Sequence, residues 1–277
     1  MNLASGGELP SDMSEFLQRQ EVYMPRVMEL QRTIAAPDYK LADTTLLAPL
    51  PRPSSVRDFM AFELHVKNAY EKIGKAVPVE WYSFPVFYFT NHQTIIGPAQ
   101  DVQRPPHTAW LDYELEIACV IGKEGRNIKA AEAEEYIFGY TIFNDWSARD
   151  LQMKELPVGL GPAKGKDFAS SLGPYLVTKD ELEPYRVGDR FDLDMTASVN
   201  GRMLSRGNAK DMHYTFGDMI ERASDGVTLY PGDVIASGTV GTGCILELGA
   251  GVQDWLQPGD TVELAVTGLG RLKNTVV

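Results

Sequence analysis

The sequence predicts an α+β fold, mostly antiparallel sheet with few helices, and three observations carry that expectation. Beyond residue 86, apolar residues recur in short runs that alternate with polar ones, as in Phe191 to Val199. Asn200-Gly201 follows that run directly, and both residues tolerate the positive φ of a tight hairpin turn. Two Pro-Gly-Asp triplets, at Pro231 and Pro258, each turn the chain into a short apolar strand.

In chain order, residues 11 to 35 place Phe16, Val22, Met24, Val27, Met28 and Leu30 at helical spacing and stop before Pro37. This predicts a helical N-terminal extension over residues 1–45. The Pro-rich stretch Leu46 to Pro53 then opens the main domain, residues 46–277. A second amphipathic pattern runs from Asp58 through Phe59, Phe62, Val66, Ala69, Tyr70 and Ile73, with Asp58 at the capping position and a length that suits a lid. Strands are expected at Val86 to Thr90, Leu111 to Ile121, Tyr140 to Asn144 and Phe191 to Val199. Two further helices are expected: Ala130 to Phe138 closed by Gly139, and one opened by Thr215 with Asp218 three residues on, a capping-box pattern. No internal repeat or low-complexity tract is present.

Composition narrows the function. The 277 residues are 44% hydrophobic and 23% charged, enough for one substantial core. A formal net charge of −12 with no basic run argues against nucleic acid, whose phosphates demand clustered Lys and Arg. Neither a signal sequence nor an apolar stretch of about 20 residues stands out, so a soluble cytoplasmic protein is expected. Cys119 and Cys244 form no disulfide or thiolate-metal pattern and read as reduced thiols.

The chemistry lies in carboxylates. In Leu-Asp-Tyr-Glu-Leu-Glu-Ile from 111, strand periodicity puts Asp112, Glu114 and Glu116 on one face. A solvated outer face of a sheet accounts for this; a metal is the alternative, because crowded carboxylates repel unless a cation neutralises them. Asp145, after Tyr-Thr-Ile-Phe-Asn, could simply cap the next helix turn, and Asp58 has the same structural alternative. An all-oxygen set would favour a hard ion, Mg²⁺, Mn²⁺ or Ca²⁺.

Four blocks in order, Leu-Asp-Tyr-Glu-Leu-Glu from 111, Phe-Asn-Asp-Trp-Ser-Ala-Arg-Asp-Leu-Gln from 143, Gly-Lys-Asp-Phe from 165 and Pro-Gly-Asp-Val-Ile-Ala-Ser-Gly-Thr from 231, resemble the fumarylacetoacetate hydrolase family. The likeness spans about residues 46 to 277 and is closer to the short bacterial members, since no separate N-terminal β-barrel domain fits in this length. It implies that family's mixed β-sandwich or β-roll core. It further implies that Glu114, Glu116 and Asp145 bind a divalent metal, Mg²⁺ or Mn²⁺ with Ca²⁺ possible. Arg-Asp-Phe-Met-Ala-Phe-Glu-Leu-His matches the family's lid motif, which would make Asp58 a fourth ligand and His65 the catalytic base, with Glu247 as its acidic partner. Arg149, Gln152 and Lys166 would face developing charge on the substrate; Tyr88 and Thr239 would contact it. Without the resemblance, Arg149 reads as a structural ion-pair partner near Asp150, Thr239 as a turn residue, Lys166 as an exposed loop lysine, and His92, His107 and His213 as ordinary polar or packing residues. Two positions depart from the family's fumarylacetoacetase: Leu156 replaces a tyrosine four residues after the Gln, and Met60 replaces the tyrosine after the lid Phe.

The resemblance implies a homodimer that hydrolyses a C–C bond in an acylpyruvate or related 1,3-dicarbonyl acid with water activated by His65. Its alternatives are an oxaloacetate-type decarboxylase or tautomerase, a hydratase or isomerase, and, from another class, a non-catalytic metal- or ligand-binding protein on the same fold.

Overall fold

The computed structural model describes residues 2–34, 39–72, 74–249 and 251–277. The expected positions Pro37 and Ile73 lie outside the described residues. The fold is α+β, with two main sheets and short helices. A seven-stranded sheet runs in the order Phe87–Thr90, Ser55–Phe59, Asp233–Ala236, Leu115–Ile121, Ile137–Asp145, Ser170–Thr178, Ile95–Ile96. A five-stranded sheet runs Arg202–Asn208, Asp194–Val199, Thr261–Val266, Gly270–Val276, Asp101–Val102. Pairing is mostly antiparallel, but Ser55–Phe59 lies parallel to Asp233–Ala236 and Ser170–Thr178 parallel to Ile95–Ile96, so the larger sheet is mixed.

Strand Leu115–Ile121 shows what holds the layers together. Its odd-numbered residues Ile117, Cys119 and Ile121 join one core with Met195, Ala197, Val262 and Leu264 of the smaller sheet. Ala118 and Val120 point the other way, into a second core with Val56, Phe143, Leu172 and Leu17. Leu17 comes from the first of two N-terminal helices, Met13–Gln18, which therefore packs on the outer face of the large sheet; Gln20–Thr33 follows it. Both cysteines are buried and unpaired. No helix among the described residues is long and apolar enough to cross a membrane.

The turn signals appear where the sequence puts them. Asn200 and Gly201 both have positive φ between the paired strands Asp194–Val199 and Arg202–Asn208. Gly232 and Gly259 turn the two Pro-Gly-Asp corners at positive φ, and Thr215 with Asp218 closes a reciprocal capping box on helix Phe216–Ser224. Four expectations fail, one of them the unbroken strand Leu111 to Ile121, which is divided into Leu111–Asp112 and Leu115–Ile121. The helix of Ala130 to Phe138 is a 3₁₀ segment ending at Tyr136, and Phe138 and Gly139 belong to strand Ile137–Asp145. There Gly139 allows the close approach of Val177, because a Cβ would sit 2.2 Å from its carbonyl oxygen. Phe191 to Val199 is split, with Arg190–Phe191 and Asp194–Val199 in different sheets. The lid helix starts at Glu63, so Asp58 caps nothing and lies within strand Ser55–Phe59, hydrogen-bonded in the sheet on both sides.

Candidate active site

One end of the seven-stranded sheet gathers the acids. Asp58 is in register with Tyr88 on one neighbour and Ala236 on the other, and Glu116 is the second residue of the next strand over. Asp145 ends the strand beyond that, paired with Ser170. Carboxylate oxygens of Asp58, Glu114 and Glu116 lie within 4.8 Å of one another. All three are buried, as is Asp145, so none belongs to a solvated face. Asp145 does not cap a helix either: the residue before helix Arg149–Glu155 is Ala148, and the Asp145 carboxylate turns inward to Lys166. Strand alternation breaks at Tyr113 and Glu114, between the short strand Leu111–Asp112 and Leu115–Ile121. Asp112 therefore leaves the acid group and binds Arg149 Nε at 2.9 Å and the amides of Ile245 and Leu246 at 2.8 and 3.0 Å.

The wall carries more negative charge than its partners answer. Lys166, a buried residue and not an exposed loop lysine, places Nζ 2.5 Å from Glu114 Oε2 and 2.6 Å from Asp145 Oδ2. Arg149 pairs with Asp112 and with Glu114, at 2.8 Å to the latter. Burial raises the Glu114 carboxyl, but these two cations outweigh it and hold Glu114 below the usual carboxylate range. Asp58 and Glu116 have no such cover: burial first, then neighbouring carboxylates, pushes both well above their ordinary values. Tyr88 donates to Asp58 at 3.1 Å and also to Asp145. Glu116 accepts the Gly238 N–H at 3.0 Å on one oxygen and the Thr239 hydroxyl at 3.4 Å on the other. Gly238 is needed there, because a Cβ would lie 2.3 Å from the Phe59 carbonyl oxygen. Among the described residues, Asp58 Oδ1 and Asp145 Oδ1 are buried without any hydrogen-bond partner. Buried, unpaired carboxylate oxygens beside a crowded acid trio are what a hard divalent cation would satisfy, so the residues fit such an ion.

Facing this wall is a base arm. His65, two residues into helix Glu63–Lys72, sets Nδ1 2.7 Å from Glu247 Oε1, and both side chains are buried. Glu247 lies in the one-turn helix Ile245–Leu248, whose first amides Asp112 caps. Its second oxygen accepts Asn68 Nδ2 at 2.7 Å and the Thr242 amide at 2.8 Å, while Cys244 Sγ lies 3.5 Å from the first. Thr242 adopts φ 64°, a left-handed conformation that aims its amide at the carboxylate. Burial raises Glu247, but the His65 and Asn68 contacts outweigh it and bring it below its ordinary value.

Wall and arm open onto one cavity of about 410 Å³. Asp58, His65, Tyr88, Glu114, Glu116, Arg149, Gln152, Lys166 and Thr239 all line it. Asp145 and Glu247 stand behind that surface, reached through Lys166 and His65. The other histidines, His92, His107 and His213, do not line it.

Residues 54–277 match the fumarylacetoacetate (FAA) hydrolase C-terminal family. The chain belongs to this family. It is 34% identical to human mitochondrial oxaloacetate tautomerase FAHD2A over 272 residues, which covers 97% of this chain and 81% of that protein. It is 32% identical to the oxaloacetate tautomerase YisK of Bacillus subtilis over 243 residues, 86% of this chain and 75% of the relative. Among solved structures, a 5-carboxymethyl-2-hydroxymuconate delta-isomerase from Mycobacterium smegmatis superposes with a TM-score of 0.68 at 34% identity, covering 86% of this chain and 82% of that one.

Within this fumarylacetoacetate hydrolase family chain, several residues that complete the geometry escape a reading of the sequence. Asn68 braces Glu247, and its position three residues after His65 puts it on the same helix face, a signal that was available. Asn144 accepts the Glu114 amide at 2.9 Å and fixes the irregular turn that aims Glu114 inward. Asp112 is visible as an acid, but only the break in the strand shows that it serves Arg149 and the helix of Glu247 and not the acid trio.

Proposed function

We propose that this chain catalyses enol–keto tautomerisation of a small 2-oxo acid, with a divalent cation, Mg²⁺ or Mn²⁺, held by Asp58, Glu114, Glu116 and Asp145. The observation that carries the reading is the placement of His65 in the same cavity as the acid wall. When bound, such an ion supplies Lewis acidity toward the 2-oxo oxygen. With Nδ1–H donated to Glu247, His65 keeps Nε2 free to exchange a proton with the carbon next to the carbonyl. In the ketonising direction the C2 hydroxyl loses its proton, C3 gains one, and the C2–C3 double bond becomes C2=O. Glu247 steadies the imidazolium formed during transfer, and its own hydrogen bonds keep it ionised and in place. Lys166, Arg149 and Gln152 line the wall where the substrate's C1 carboxylate and 2-oxo oxygen would lie. Thr239 and Tyr88 give hydroxyl contacts at the same wall. The relatives named as oxaloacetate tautomerases, and the isomerase among the structures, support proton transfer over bond cleavage.

C–C hydrolysis of an acylpyruvate is the second reading, favoured by the His65–Glu247 pair, which could equally polarise a water. One experiment separates them. Mg²⁺-loaded protein is mixed with enol-oxaloacetate, and decay of the enol absorbance is followed; in parallel it is incubated with an acylpyruvate in ¹⁸O-labelled water. Tautomerisation predicts faster enol decay and no label in a released acyl acid. Labelled acid with unaccelerated enol decay would establish hydrolysis instead.

A further inference from the structure

Beyond the acid wall, the cavity becomes apolar. Val86, Phe87, Met153 and Leu246 line it, and at its rim Met60 and Leu156 keep 37% and 46% of their surface exposed. Among the described residues that line it, the basic side chains other than His65 are Lys166 and Arg149, and both are already ion-paired with the wall's carboxylates. Five carboxylates, Asp58, Asp112, Glu114, Glu116 and Asp145, face those two cations. The cluster thus keeps a formal charge of −3, or −1 with a divalent ion in place. One substrate carboxylate can share the ion, Lys166 and Arg149. Apart from His65, whose Nδ1 is held by Glu247, a second would find no further cation among the described lining residues, and against Phe87 and Met153 it would be desolvated, which is costly for an unpaired anion.

We propose that the native substrate is a 2-oxo acid whose C3 substituent is an apolar aryl or alkyl group, seated between Phe87, Met153 and Leu156, and not a compact dicarboxylate. This rests on the 2-oxo-acid reading above. The cavity volume agrees, since pyruvate-sized chemistry at the wall leaves most of 410 Å³ for a substituent. Covering Met60 and Leu156 with that group removes two partly exposed apolar side chains from water.

Phenylpyruvate and oxaloacetate make a matched pair, because they differ only in phenyl or carboxylate on C3. Titration calorimetry of Mg²⁺-loaded protein should give phenylpyruvate a Kd lower by about 10- to 100-fold, the gain from burying one aromatic ring. Its enol–keto rate, as kcat/KM, should be favoured in the same sense. Leu156→Arg, at an exposed position where the fold is safe, should shrink or reverse the ratio by putting a cation beside the substituent. Oxaloacetate binding as tightly as phenylpyruvate to the wild type overturns the proposal, and so does a ratio that Leu156→Arg leaves unmoved. If phenylpyruvate binds more tightly but neither compound is tautomerised, the apolar assignment stands and the tautomerase reading fails. If both are tautomerised with oxaloacetate preferred, the reverse holds.

Discussion

The acid wall and the base arm are both buried, lie across one cavity, and hang from the same loop. Gly238 and Thr239 of that loop serve Glu116, whereas Thr242 and Cys244 serve Glu247. Yet they are in opposite electrostatic condition. Glu247 has both oxygens bonded and sits below its ordinary pKa, while Asp58 and Glu116 are driven well above theirs and Asp58, like Asp145, keeps a buried oxygen without a partner among the described residues. The arm is pre-organised for proton transfer, and the wall is stable only when extra positive charge arrives. The contrast can be broken on either side.

The largest effect should come from the wall. Removing divalent cations with a chelator should abolish turnover, and Mg²⁺ or Mn²⁺ should restore it; full activity in rigorously stripped protein would sink the assignment. Glu116→Gln should weaken Mg²⁺ binding by calorimetry while leaving the fold intact by circular dichroism, because an amide keeps the shape and removes one charge. On the arm, His65→Ala should lower kcat by about 10² to 10⁴, the usual contribution of a positioned base, with Mg²⁺ affinity nearly unchanged. An equal loss of Mg²⁺ affinity in His65→Ala would mean that wall and arm are not separable.

Fold and site differ in how much of them the sequence discloses. Turn chemistry is local, so Asn200-Gly201, the Pro-Gly-Asp corners and the Thr215 box are visible in a few residues. Asp58 misleads because Asp before an apolar helical pattern is also a capping signal, and only pairing with Tyr88 and Ala236, residues distant in sequence, makes it a strand residue. Asp112 misleads for a related reason: period two extends through 111 to 117, but the Asn144 side chain bends the backbone at Glu114. Periodicity detects faces, not breaks. The pairing of His65 with Glu247, 182 residues apart, comes from the family blocks alone, since no local pattern encodes it.

A smaller effect sharpens the comparison through stability. Glu116 titrates in the folded protein above its unfolded value, chiefly through burial and then repulsion from Asp58. Its ionisation therefore costs nothing at acid pH, and the cost grows as pH rises above the ordinary carboxylate range. Metal-free Glu116→Gln should consequently melt above metal-free wild type at neutral pH, with the gap closing toward pH 4. With Mg²⁺ present the order should reverse, because the cation stabilises the intact wall in proportion to its affinity. Differential scanning calorimetry across pH reads both; a variant that melts lower in every condition would show that the wall carries no stored repulsion.

The smallest effect tests the arm's completeness. Asn68 gives Glu247 one of three close hydrogen bonds besides the weaker Cys244 contact, so Asn68→Ala leaves the carboxylate bonded to His65 and to the Thr242 amide. The side chain is only partly buried, so water can replace its amide. A stability loss of about 1 kcal/mol is expected, near the lower end for a hydrogen bond to a charged group. The rate should fall by less than about 10-fold, since Glu247 loses a brace and His65 keeps its partner. Asn68→Asp makes the sharper arm, because it sets a second carboxylate 2.7 Å from Glu247 Oε2 and must repel it. Metal-free Asn68→Asp should therefore melt below Asn68→Ala at neutral pH, as two carboxylates crowd one buried site. If Asn68→Ala instead matched the loss seen in His65→Ala, Glu247 would not be held independently by the loop, and the contrast between a finished arm and an unfinished wall would fail.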